Sequence, residues 1–98
     1  GWRELKRIQD GGCEKFTVRE PCAVENPYPG ADFQFLAANV IMPDGSTLFP
    51  AHTIRRFGEG DDSFAVGVIG LTLKNTPMLV TPEGVAGLTF TAEAEAIN

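Results

Sequence analysis

The sequence contains a single histidine, His52, one tryptophan, one tyrosine and only two cysteines among its 98 residues. One imidazole cannot supply the several nitrogen ligands of a catalytic zinc site, and Cys13, Cys22 and the distant His52 lack the spacing of a structural one. No apolar run approaches the ~18 residues that a membrane-crossing helix needs, so no membrane partner is expected. Cations are scarce too: eight Lys and Arg stand against thirteen Asp and Glu, a formal net charge of −5. A phosphate backbone is bound by clustered cations that release its counterions, and this balance opposes that, so no nucleic-acid polymer is expected as a partner. The deficit is uneven. Through Gly30 the chain carries five basic and five acidic residues, and beyond it three and eight, a bias that reads as a solvated face.

What is present suits a globular fold. The length is enough for one domain, residues 1–98, and the composition is 43% hydrophobic and 21% charged, far from that of a disordered chain. Trp2, Leu5 and Ile8 recur at three-residue intervals between Arg3, Glu4, Lys6 and Arg7, which predicts a short amphipathic helix over 2–10. Gly11 and Gly12 end it, because glycine adopts positive φ without steric cost. No Ser, Thr, Asp or Asn precedes Trp2 as a cap, and Gly1-Trp2-Arg3-Glu4 opens directly in helical sequence, so an export signal would lie upstream.

Residues 13–31 have no sustained period and are punctuated by Pro21, Pro27, Pro29 and Gly30, which predicts an irregular insertion loop. A loop that long needs a tether. A local disulfide between Cys13 and Cys22 would supply one, with two free thiols as the alternative. By loop entropy such a bridge would contribute about 2 to 3 kcal/mol, and it would imply an oxidising compartment.

Phe33 to Ile41 (FQFLAANVI) reads as a strand covered on both faces. Met42-Pro43-Asp44-Gly45-Ser46 turns the chain into a second strand within Thr47 to Phe57, with Pro50 limiting its first half. Phe64 to Leu71 (FAVGVIGL) reads as a strand buried on both sides. The segment from Thr72 to Gly87 is expected as a loop packed over the core, and Thr91 as the cap of a final helix with Glu93 in its first turn. There is no internal repeat or low-complexity tract.

Few residues invite chemistry. His52 reads as structural. Glu59, Asp61 and Asp62 flank glycines in a turn without the spacing of a calcium loop, so a solvated turn is favoured over a cation site. Ser46 and Ser63 lie at turns without a base, and either cysteine would need His52 folded against it to act as a nucleophile. Gly67 and Gly70 open no phosphate-binding string. Arg55 and Arg56 are adjacent on a strand and face opposite sides, so at most one could serve a given site. Asn39, an amide among apolar neighbours, must find partners; backbone groups are favoured over support of a metal ligand from behind.

Three runs stand in order along the chain: Leu5-Lys6-Arg7-Ile8-Gln9-Asp10-Gly11-Gly12-Cys13, Phe33-Gln34-Phe35-Leu36-Ala37-Ala38-Asn39-Val40 and Val66-Gly67-Val68-Ile69-Gly70-Leu71-Thr72. Thr76-Pro77 and Gly87-Leu88-Thr89-Phe90 follow. Together they resemble the bacterial 5'-nucleotidase and 2',3'-cyclic-nucleotide phosphodiesterase branch of the calcineurin-like metallophosphoesterases, over nearly the whole chain, with Glu14 to Glu20 the least family-like stretch. The resemblance implies a sandwich of two mixed sheets with flanking helices and two divalent metals that polarise phosphate and activate water. It also implies ligands from Asp-x-His, Gly-Asp, Gly-Asn-His-Glu and Gly-His-x-His-like motifs. None of these strings occurs here, and the resemblance places the nearest of them on either side of this segment, so no metal ligand is assigned to any residue of this chain.

The expectation is therefore an α/β fold: a partial metallophosphoesterase sandwich of about three strands with an N-terminal and a C-terminal helix. Its function would be that of a scaffold segment in a periplasmic or secreted hydrolase of nucleotide phosphate esters, inactive alone and binding no cofactor by itself. The alternative is a stand-alone, noncatalytic binding or assembly module derived from such a gene. Strands of the buried type with so little to cover them predict self-association, or docking to the remainder of a parent enzyme.

Overall fold

A computed structural model describes all residues, Gly1–Asn98. The chain is mixed α/β, with a helix at each end and four strands arranged as two separate two-stranded antiparallel sheets. It divides into two compact units: Gly1–Gln34 with Val80–Ala86, and Phe35–Leu79 with Gly87–Asn98.

The first unit is built on helix α1, Trp2–Asp10. Its apolar stripe is shallow, and none of its residues is fully buried. Glu4 near its start and Arg7 near its end suit the helix dipole and pair at i,i+3, with Arg7 Nη2 2.6 Å from Glu4 Oε1. Gly11 closes the helix at φ +95 and ψ 178, an extended positive-φ cap rather than a left-handed one. The following loop returns against this end: Gly12 N–H donates to the Tyr28 carbonyl, Ala31 N–H to that of Gln9, and the Tyr28 hydroxyl to that of Ile8. Two glycines permit the contact, because a Cβ on Gly11 would sit 2.8 Å from Tyr28 O and one on Gly30 would sit 2.7 Å from Gln9 O. Residues 13–31 contain no helix or strand, and Cys13 and Cys22 are disulfide-bonded with their Cα atoms 5.5 Å apart. Helix α2, Pro82–Val85, begins with proline, whose missing N–H costs nothing at a first turn.

The second unit contains strand β1, Val40–Ile41, paired with β4, Thr89–Phe90, and strand β2, His52–Phe57, paired with β3, Phe64–Ile69. The expected strand over 33–41 is thus confined to its last two residues. Without a neighbouring strand, the Ala37 and Ala38 N–H groups turn to the carbonyls of Pro50 and Gly70, and the apolar run remains irregular up to Asn39. Pro50 precedes β2 and lies outside it, as a residue without an N–H must. The hydrophobic core is small: Ala37, Val40, Leu48 and Phe49, with Phe35 edge-on to Phe49 at 5.3 Å.

Burial departs from expectation at two places. Every residue of β3, which reads from sequence as a strand covered on both faces, is exposed, and the element it chiefly packs with is its hairpin partner β2. Leu73, Met78 and Leu79, expected to pack over the core, are 56%, 83% and 73% exposed. Helix α3, Glu93–Ile97, starts from Ala92, one residue later than the Thr91 cap predicted. Both backbone groups of Thr91 are committed to Asn39, which holds that residue in the strand's continuation.

Candidate functional site

The most connected polar group is Asn39, which is fully buried. Its Nδ2 donates to the carbonyls of Thr72 at 2.5 Å and Thr91 at 3.0 Å, while its Oδ1 accepts the Thr72 N–H at 2.8 Å. Its own carbonyl accepts the Thr91 N–H at 2.9 Å. The amide thus does the work of a missing strand, engaging both backbone groups of Thr72 as a ladder partner would, and it joins the segments around residues 39, 72 and 91. All its side-chain partners are main-chain atoms. Such a group orders the fold, with both of its N–H donors spent on main-chain carbonyls.

The neighbouring polar contact was not foreseen from sequence. Glu93 Oε1 accepts the Lys74 N–H at 2.6 Å, and this bond, aided by the Glu93 backbone N–H, holds the carboxyl below the usual glutamate range. The first-turn position of Glu93 suits the helix dipole, but nothing in the sequence points to Lys74 as its partner.

The other residues that could carry chemistry are dispersed. His52 is exposed at the start of β2, opposite Ile69. Glu59, Asp61 and Asp62 occupy an exposed turn whose 60–62 stretch forms a single 3-10 turn. Arg55 and Arg56 are exposed on opposite faces of β2, opposite Val66 and Ala65. Ser46 donates its hydroxyl to Asp44, completing the turn around Gly45. Nowhere do three His, Cys, Asp or Glu side chains gather in a group that could hold a metal ion. The donor set of a binuclear metal centre therefore does not fit these residues, since the one imidazole stands apart from the carboxylates and both thiols are consumed in the disulfide.

A groove runs along α1, beside Trp2, Arg3, Lys6 and Phe16. The Arg3 guanidinium lies 4.7 Å from the centre of the Trp2 ring, a cation–π contact. Arg7, at the back, is committed to Glu4 and to the Gly12 carbonyl, and the Glu4 hydrogen bond raises its pKa while holding Glu4 low. Asp10 and Glu14 on the same walls offset Arg3 and Lys6, so the groove presents no excess of charge to attract an anion.

No family model matches the chain, and no solved structure matches it. The chain is 42% identical over 60 residues to a protein of Acinetobacter calcoaceticus described as an uncharacterized protein in the pqq-V 5'region. That match takes in 59% of this chain and 29% of the relative, so it spans less than a third of the relative's length.

Proposed function

We propose that this chain is a scaffold segment of a metal-dependent phosphoesterase that hydrolyses nucleotide phosphate esters, with no activity of its own. The ordered runs ending in Gly12-Cys13, Asn39-Val40 and Leu71-Thr72 support the family, through their resemblance to the 5'-nucleotidase branch. One observation carries the scaffold role. The chain's single fully buried polar group, Asn39, is spent on backbone atoms, while its histidine, carboxylates and hydroxyls stay dispersed. A segment organised in this way supplies strands and turns to a site whose ligands come from elsewhere in a polypeptide. A relative more than three times longer than the matched stretch is compatible with such a parent. The disulfide is compatible with an extracellular or periplasmic location, and no helix is long and apolar enough to cross a membrane. We place the parent enzyme in the periplasm or outside the cell.

The test is to read the encoding DNA on both sides and express the whole open reading frame. In-frame Asp-x-His and Gly-Asn-His-Glu motifs, with manganese- or zinc-dependent hydrolysis of 5'-nucleotides or 2',3'-cyclic nucleotides by the full product and none by the 98-residue chain, are the expected results. An open reading frame without those motifs would point to a stand-alone assembly module and sink the phosphoesterase reading. Metal-dependent turnover by the short chain alone would sink the scaffold role.

A further inference from the structure

We propose that the outer edge of β3 pairs with β3 of a second copy of this chain, forming a four-stranded antiparallel sheet across a two-fold axis. This inference does not depend on the phosphoesterase reading. The β2–β3 sheet has two strands, so β3 has one side without a strand partner. Just past β3, Gly70 N–H donates to Ala51 O on the β2 side. Antiparallel alternation then turns the peptide groups of Val68, Val66 and Phe64 toward β2 and those of Ile69, Gly67 and Ala65 outward.

That edge lacks the devices by which edge strands avoid pairing. Residues 64–69 include no charge and no proline, whereas the outer edge of β2 is guarded by Arg55 and Arg56 and preceded by Pro50. A Cβ built on Gly67 would meet nothing within 4 Å, so nothing covers the sheet face at the middle of the strand.

A two-fold centred on Val66 satisfies both the backbone and the side chains. It sets Ala65 against Gly67 of the mate, matching outward-facing groups, and Phe64 against Val68 of the mate, an aromatic–β-branched pair on one face. That face already carries the Phe57–Phe64 stack, with ring centres 5.5 Å apart, and Val66 and Val68, which are 41% and 42% exposed. The hairpin tips with Glu59, Asp61 and Asp62 then point to opposite ends, each beside the uncharged Gly70-Leu71 of the other copy, and the two acidic patches do not meet.

The exposed large apolar side chains on β3 itself are Phe64, Val66, Val68 and Ile69, so pairing along this edge covers apolar side chains as well as peptide groups.

The test uses the 98-residue chain from micromolar to submillimolar concentration, by sedimentation velocity and by light scattering after gel filtration. A dimer is expected, with the Ala65 and Gly67 amides gaining hydrogen-exchange protection as concentration rises and those of Ile54 and Arg56 unchanged. Val66→Lys places two like charges directly opposite at the axis and should weaken the dimer at least about tenfold. Ile54→Lys, an equally polar change on β2, should not. Val68→Glu gives a second reading on the same edge if Val66→Lys fails to fold. A chain that stays monomeric throughout overturns the proposal and assigns the surface to the remainder of a longer polypeptide. A dimer with unprotected Ala65 and Gly67 amides, or one weakened equally by Ile54→Lys, overturns it in favour of face-to-face stacking.

Discussion

Replacing Asn39 tests the proposed architecture most directly. Asn39→Ala removes three side-chain hydrogen bonds at a fully buried position and strands the Thr72 N–H, the Thr72 carbonyl and the Thr91 carbonyl. Each buried group left without a partner costs about 1–3 kcal/mol, so the three together should cost roughly 3–9 kcal/mol. A chain of this size is stable by only about 5–15 kcal/mol, and four buried hydrophobic side chains put this one toward the low end. The second unit should therefore be largely unfolded in Asn39→Ala. Trp2 and Tyr28 both lie in the first unit and would not report the change, so the assay is urea denaturation by far-UV circular dichroism with hydrogen exchange at the Thr72 amide. Asn39→Asp keeps the shape but turns a carboxylate toward two carbonyls. Burial and that repulsion raise its folded pKa above the unfolded value, so its penalty is greatest at neutral pH and shrinks as the pH falls and the carboxyl is protonated. A loss below about 0.5 kcal/mol in Asn39→Ala, within the range of an ordinary surface change, or an Asn39→Asp penalty that grows toward acid, would refute the ladder role.

Three further outcomes can be checked on the same protein. Reducing the Cys13–Cys22 bridge, or replacing both cysteines with serine, should cost the first unit about 2–3 kcal/mol, read from the shift in its urea midpoint by Trp2 fluorescence. Glu93, held low by the Lys74 N–H, and Glu4, held low by the Arg7 guanidinium, both have folded pKa values below the ordinary 4.5. The stability they add is present above that value and lost as the pH falls from it through the folded values; Glu93→Gln should flatten the acid limb of the melting-temperature profile. Gly70→Ala would place its Cβ against Leu36, 2.5 Å from the Leu36 carbonyl oxygen, and should cost about 1–3 kcal/mol or more, whereas Gly67→Ala, with open space around it, should cost far less in thermal denaturation.

Local features were legible where local physics decides them. The three-residue spacing of Trp2, Leu5 and Ile8 and the paired glycines after Asp10 marked α1, and Pro50 and the polar stretch 58–62 bracketed β2. Asn39 stood out because an amide inside FQFLAANVI has to be satisfied, although its partners at Thr72 and Thr91 are 33 and 52 residues away and no spacing rule names them. Burial was not legible. Apolar composition says that a strand prefers cover, not that cover is present, and β3 looks the same in sequence whether its cover comes from this chain, a second copy or a longer parent. The strand expected at 33–41 is confined to Val40–Ile41, because only those residues meet a neighbouring strand, β4. The close fit of Gly11 with Tyr28 and Gly30 with Gln9 was also invisible, because it depends on where an irregular loop returns.

The contacts at the base of the hairpin separate what holds the second unit together from what it offers outward. Pro50 and Gly70, the residues on either side of the β2–β3 ribbon, accept the Ala37 and Ala38 N–H groups, and Asn39 ties the next step of the chain to Thr72. The ribbon is therefore anchored at one end by backbone bonds that do not involve its own side chains. It follows that the apolar side chains of 52–69 are not needed to fold the unit. Polar substitutions at Val66 or Val68 should leave the melting transition of the monomer within about 0.5 kcal/mol, the range of ordinary surface changes, while altering association, and one at Ile54 should change neither. Substitutions at Ala37, Asn39 or Gly70 should do the reverse. If Val66→Lys instead unfolds the dilute monomer, the ribbon's side chains are part of the core, and the division between an anchored base and a surface built for assembly fails.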